Sequence, residues 1–203
     1  MGEDKDDSST GHVAVLVAGT TVAVTLGLMA PFVVLKTPLP YMATPGRKVS
    51  NALQFLAKPK NHLFVDLGSG DGEAVYQAAK CGYNAIGYEL NWTLWTFSMI
   101  RRSTWPSSIR QRTAFYRQDF FRSSLPSDTS VVMVFGVNPL MEPLSRKLSA
   151  ECCDGAHILS YRFWLPTHKE EGDKLLRAQV VYDVEDMHIY EIGNSEEIQQ
   201  RDA

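Results

Sequence analysis

Two carboxylates around a run of glycines are the residues here whose types and spacing could do chemistry. In LFVDLGSGDGEAVYQAAKCGYNAIGYEL, residues 63–90, Asp66 closes one apolar run, Gly68 and Gly70 follow it, and Glu89 closes the next run, about twenty residues beyond the turn. Without a Cβ, glycines take positive φ and let a ligand approach the backbone closely. An acid at Glu89 is placed to accept both hydroxyls of an adenosine ribose. A dinucleotide site would set phosphates on the helix start, but GSGDGE sets Asp71 and Glu73 there, acids that repel a pyrophosphate and suit a cation. S-adenosylmethionine, with its sulfonium and ammonium, fits these charges better than NAD. Asp119, read as the end of a third strand, is placed to accept a hydrogen bond from the adenine amino group. Taken singly, the turn is also an ordinary strand-to-helix connection and each acid a cap or surface residue; taken together they point to methyl transfer.

The elements that must position these residues follow from periodicity. HLFVDL reads as a buried strand, GSGDG as a turn, and EAVYQAAK as a helix ended by Gly82. Three further units follow: NAIGYEL with a helix near Thr93 to Arg102, TAFYRQDF with a loop, and SVVMVFGV with a helix near Leu140 to Glu151. That alternation predicts an α/β fold with a parallel sheet. AHILSYRF adds a fifth strand, and AQVVYDVED with HIYEIG reads as an antiparallel hairpin on the sheet edge. A ligand in such a sheet sits beyond the carboxyl ends of the strands, where their order reverses. Upstream, RKVSNALQFLA suits a short amphipathic helix, with Val49, Leu53 and Leu56 on one face.

Residues 13–35, VAVLVAGTTVAVTLGLMAPFVVL, carry no charge, and about twenty such residues span a bilayer core as a helix. The acidic leader MGEDKDDSST does not suit a secretory signal or an Arg-rich presequence. Lys36, Arg47 and Lys48 follow the apolar stretch and only Lys5 precedes it, so the C-terminal domain is expected on the positive-inside face, cytosol or mitochondrial matrix. The expected organisation is an acidic tail over 1–12, a transmembrane helix over 13–35, a proline-rich connector over 36–46, a domain over 47–193 and a tail over 194–203. The net charge of −3 gives no global field for nucleic acid. Cys81, Cys152 and Cys153 form no CxxC, and His62, His157, His168 and His188 have no metal spacing, so neither a disulfide framework nor a metal is expected. Arginines and aromatics gather between Arg101 and Arg122; they suit anionic headgroups, RNA or simply solvated faces.

VDLGSGDG, GYELN, VVMVFGV and LSYRFWLP, in that order behind an apolar stretch and a proline-rich connector, resemble the mitochondrial protein-lysine methyltransferases of the FAM173 family. Members of that family modify the ATP synthase c-subunit or the adenine nucleotide translocase, and VFGV with RF downstream is more similar to the c-subunit enzyme. The resemblance implies a seven-strand class I (Rossmann-like) methyltransferase fold, S-adenosylmethionine as cofactor, and a membrane-protein substrate at the mitochondrial inner membrane. It assigns the cofactor to Asp66, Gly68, Ser69, Gly70, Asp71, Gly72, Glu89, Leu90, Asn91, Asp119 and Phe120. Tyr41, Phe135, Gly136, Val137, Arg162 and Phe163 become candidates for the lysine channel. The chain departs from the family's usual pattern at Glu73, at Trp92 and at the Asp119–Phe120 pair, and it lacks the GEG expected before the sixth strand.

Overall fold

Strands buried on both faces must read as nearly continuous apolar runs, and the central strands here do. The computed structural model describes residues 44–57, 62–136, 138–167, 176–184 and 186–193. The expected transmembrane helix over 13–35, Tyr41, Val137 and the tail over 194–203 lie outside them. Among the described residues no helix is long and apolar enough to cross a membrane.

The described residues begin with helix α1 (Gly46–Leu56), then β1 (Leu63–Leu67), α2 (Glu73–Lys80), β2 (Asn84–Tyr88), α3 (Trp92–Ser103), the single turn α4 (Ser107–Arg110) and β3 (Thr113–Tyr116). They return through β4 (Thr129–Val134), α5 (Asn138–Glu151) and β5 (His157–Tyr161), and finish with β6 (Ala178–Val184) and β7 (Met187–Ile192). These strands form one seven-stranded sheet in the order β3-β2-β1-β4-β5-β7-β6. β1 to β5 pair in parallel, and β7 runs antiparallel between β5 and β6. The expected hairpin is thus β6–β7, with its second strand turned inward and its first forming the edge.

Alternation along each strand divides the core between two faces. Phe64, Val131, Met133, Leu159 and Ile189 pack with Val49 and Leu53 of α1 and with Val75 and Ala78 of α2. Val65, Val132, Val134, Ile158 and Tyr190 pack with Leu144 and Leu148 of α5. Helix α1 ends where Ala57 enters the left-handed region and its N–H bonds back to Leu53 and Gln54.

Several strands stop earlier than their apolar pattern suggests, β3 and β5 for visible reasons. β3 ends at Tyr116 rather than at Asp119, because Asp119 makes a turn: its Oδ1 accepts the Phe121 N–H at 2.9 Å and its carbonyl accepts the Arg122 N–H at 3.1 Å. β5 ends at Tyr161, where Arg162 takes φ 68° and donates its N–H to the Asp186 carbonyl at 2.7 Å.

Candidate active site

Strand order reverses between β1 and β4, so a crevice opens beyond the carboxyl ends of those strands. The glycine turn lies at that point. Gly68, Gly70 and Gly72 all have positive φ, at 86°, 53° and 81°. The N–H groups of Gly68 and Ser69 both donate to the Tyr88 carbonyl at 2.9 Å, which ties the turn to the end of β2. The Gly72 N–H donates to the Ser69 carbonyl at 2.8 Å and closes the loop into α2.

Glu89, just past β2, holds this turn from the other side. Its Oε2 accepts the Gly70 N–H at 2.8 Å and its Oε1 accepts the Asn91 N–H at 2.7 Å. Each oxygen keeps a further lone pair for a ligand hydroxyl. Asn91 caps α3, its Oδ1 accepting from the Thr93 and Leu94 N–H groups, and Leu90 between Glu89 and Asn91 is exposed. Asp66 faces Glu89 across the turn. It is 5% exposed. Burial first, then the nearby Glu89 and Asp71, push its carboxyl from 3.8 up to about 8.

Asp71 and Glu73 do not stand free as their positions in the sequence suggest. Arg101, on α3, donates to the Asp71 carboxylate and to the Asp71 carbonyl at 2.9 Å, and to Glu73 Oε2 at 2.8 Å. Glu73 also accepts from Gln77 at 2.8 Å. The acids left facing the turn are Asp66 and Glu89, while Asp71 and Glu73 fasten α3 to the start of α2. The sequence carries no local sign of this, because Arg101 lies near the far end of another helix.

Asp119 lies beyond β3, half-buried, with its carboxylate engaged by its own turn and by Arg122 at 3.6 Å. The Gln118 N–H donates to the Glu89 carbonyl at 3.2 Å and brings this loop beside the acid. Phe120 packs against Phe121 and against the α5 side of the core. On the other side of the crevice, Phe135 meets Tyr161 edge-on at 5.3 Å and stacks on Phe163 at 6.3 Å. The Arg162 guanidinium lies 5.5 Å from the centre of the Tyr161 ring, and Lys48 Nζ lies 5.8 Å from the same ring. At Gly136 an added Cβ would meet Met141 Sδ at 2.6 Å, so that turn is packed against α5. The structure thus gathers Asp66, Gly68, Ser69, Gly70 and Glu89 on one side and Phe135, Tyr161 and Phe163 on the other.

Two local observations fit an adenosyl ligand. A Cβ at Gly68 would find no atom within 4 Å, so the backbone there borders open space. Ser69 Oγ is buried without a hydrogen-bond partner, an arrangement that usually has a ligand or water to satisfy it. Gly87 on β2, which sequence reasoning passed over, makes this packing possible: a Cβ there would stand 2.6 Å from Ser69 Cβ and Oγ and 2.7 Å from Phe115. Gly87→Ala is expected to destabilise the fold by about 1–3 kcal/mol through overpacking, read as a lower urea midpoint with an unchanged m-value.

The ANTKMT methyltransferase domain matches residues 66–172, from Asp66 itself to beyond β5. The chain belongs to this methyltransferase family. Among its relatives, the ATP synthase c-subunit lysine N-methyltransferase of Xenopus laevis is 37% identical over 166 residues, covering 78% of this chain and 71% of that protein. The adenine nucleotide translocase lysine N-methyltransferase of Mus musculus is 38% identical over 134 residues, covering 66% of this chain and 57% of that protein. An RNA methyltransferase from Salinibacter ruber, solved in complex with S-adenosyl-L-homocysteine, superposes with a TM-score of 0.60 at 20% identity, covering 74% of this chain and 92% of that one. The last likeness concerns fold alone: the methyltransferase domain has the seven-strand class I, Rossmann-like architecture.

Proposed function

We propose that this protein is an S-adenosylmethionine-dependent protein-lysine N-methyltransferase whose acceptor is the ATP synthase c-subunit. The observation that carries the cofactor is the glycine turn clamped by Glu89, with a buried Asp66 beside it. The acceptor rests on the relatives: several c-subunit enzymes align over most of the chain, while the translocase enzyme aligns over less of it. Glu89 would hold the ribose hydroxyls, the Gly68–Gly70 backbone the amino-acid portion, and the Asp119–Phe120 loop the adenine. S-adenosylmethionine supplies an electrophilic methyl group when bound.

The chain's own task is to deliver a neutral amine in line with that group. With a reference pKa near 10.4, deprotonating a lysine at pH 7 costs roughly 4–5 kcal/mol. Aromatic walls at Phe135, Tyr161 and Phe163 remove water from the entering side chain and so favour its neutral form. Alignment of the two reactants contributes much of the remaining acceleration. No side chain is required as a dedicated base.

The same reading sets the enzyme in the mitochondrial inner membrane, anchored by residues 13–35 with its domain facing the matrix. The uncharged run and the cations that follow it support this. Sharing a bilayer with the acceptor raises its effective concentration. Intact-mass spectra of small proteolipids from membranes with and without the protein test the proposal. The c-subunit should gain methyl increments only where the protein is present. An unchanged c-subunit beside a heavier translocase would reassign the acceptor.

A further inference from the structure

Helix α3 presents to solvent a face that suits something other than water. Leu94 and Ser98 are buried, and Trp95 and Met99 pack against the core. The opposite face, at helical spacing, consists of Trp92, Thr96, Phe97, Ile100, Ser103 and Thr104, with no charge among them. Trp92 is 52% exposed, Phe97 43% and Ile100 60%. Its hydroxyls turn away from solvent as well. Thr96 donates to the Trp92 carbonyl at 2.8 Å, Ser103 to the Ile100 carbonyl at 2.7 Å, and Thr104 to the Arg101 carbonyl at 2.7 Å. Such back-bonding hides hydroxyls in a medium of low polarity.

Cations stand at both ends of this face. Near its C-terminus, Arg110 reaches the Ser103 carbonyl at 3.3 Å, and Arg102 reaches the Arg110 carbonyl at 2.8 Å. Near its N-terminus, the Tyr116–Gln118 segment is bonded to Glu89 through backbone groups, which sets the exposed Arg117 close to the start of the helix. Between residues 97 and 122 there are six arginines; Arg101 is paired with Asp71 and Glu73, and Arg122 with Asp119, so Arg110 and Arg117 are the cations that flank the face.

We propose that this face of α3 docks on the interface of an anionic lipid bilayer, with Trp92, Phe97 and Ile100 entering the headgroup boundary and Arg110 and Arg117 meeting lipid phosphates. An uncharged apolar face with a basic rim is the pattern of a helix lying in such an interface. RNA would call for arginines interleaved with the aromatics, and here the two are segregated. A second copy is poorly served, because a helix of this length offers a strip about 18 Å long and 10 Å wide, far below the ~800 Å² per partner of a stable interface. Since α3 begins just after Glu89 ends its clamp, docking sets the crevice within a helix length of the membrane surface.

The test uses the full chain reconstituted in phosphatidylcholine vesicles with or without phosphatidylglycerol, both containing lipid brominated near the headgroup. Tryptophan quenching is the readout, and no methyl acceptor is involved, so its outcome stands apart from that of the proposed reaction. Strong quenching in anionic vesicles is expected, with most of it lost in Trp92→Phe and at least a severalfold loss in Phe97→Ser/Ile100→Ser. Arg117→Ser, at an exposed position, should weaken quenching in anionic vesicles alone and serves if the apolar variants misfold. Quenching that Trp92→Phe leaves unchanged, or none at all, overturns the proposal. So does a dimer in detergent that Ile100→Ser dissolves, which would give the face to a second copy, or RNA retention lost in Arg117→Ser.

Discussion

Glu89→Ala should lower S-adenosylmethionine affinity by at least about a hundredfold, equivalent to roughly 3 kcal/mol, while far-UV circular dichroism stays close to wild type. The side chain has two duties that fail together. Its oxygens hold the Gly70 and Asn91 N–H groups at 2.8 and 2.7 Å in a position only 8% exposed. Removing the carboxylate leaves both donors short of a partner, at about 1–3 kcal/mol for each buried group left unsatisfied. It also removes the acceptor for the ribose hydroxyls. The turn loosens at the point where Gly68 must keep its left-handed φ of 86°. Glu89→Gln separates the two duties: one amide oxygen still accepts a backbone N–H, while the amide nitrogen faces a second donor. A loss of about tenfold, intermediate between wild type and alanine, is the expected result by titration calorimetry. Binding by Glu89→Ala within a few-fold of wild type would remove the glycine turn from the cofactor site.

Much of this arrangement is legible along the chain, because it depends on short-range periodicity. Phe64 and Val65, or Val131 and Val132, face opposite cores, so β1 and β4 appear as unbroken apolar runs between turn residues. The turn, its flanking acids and the edge hairpin can be read the same way. What cannot be read depends on who meets whom in space. Arg101 is 30 residues from Asp71 and 28 from Glu73, and nothing in the local pattern distinguishes it from Arg102, which instead donates to Thr113. Local pattern makes Asp71 and Glu73 free charges, and a tertiary ion pair overrides it. Gly87 looks like any strand glycine until Ser69 and Phe115 are found against it. Asp119 is read as a strand end because its neighbours are β-formers; the Asx turn to Phe121 is the stronger local preference. His188 is a further case. Trp164 stacks on it at 3.9 Å and Asp183 bonds it at 2.7 Å, a fixed trio assembled from residues that no local pattern links.

Cofactor affinity should rise with pH between about 6 and 8 and then level off, with a slope of up to roughly tenfold per unit. Asp66 is the cause. In the free protein, burial and then the Glu89 and Asp71 charges raise its carboxyl from 3.8 to about 8, so at pH 6 it holds its proton. A ligand carrying positive charge favours the carboxylate, so binding at pH 6 must expel that proton, and at pH 8 it need not do so to the same extent. Calorimetry in buffers of different ionisation enthalpy would count the proton released. Asp66→Asn should bind more weakly and with no slope. The free protein's stability moves the other way. Folded Asp66 keeps a proton that the unfolded chain gives up above about 4, so its contribution is full below that pH and is lost as pH rises through about 8. Urea midpoints of the wild type should therefore fall across this window more steeply than those of Asp66→Asn. The two trends have one origin, a carboxyl that the fold buries and that a bound cation would help to ionise. If wild-type affinity were flat from pH 6 to 8 while the stability difference persisted, Asp66 would be a buried acid indifferent to the ligand, and charge recognition at the turn would rest on Glu89 alone.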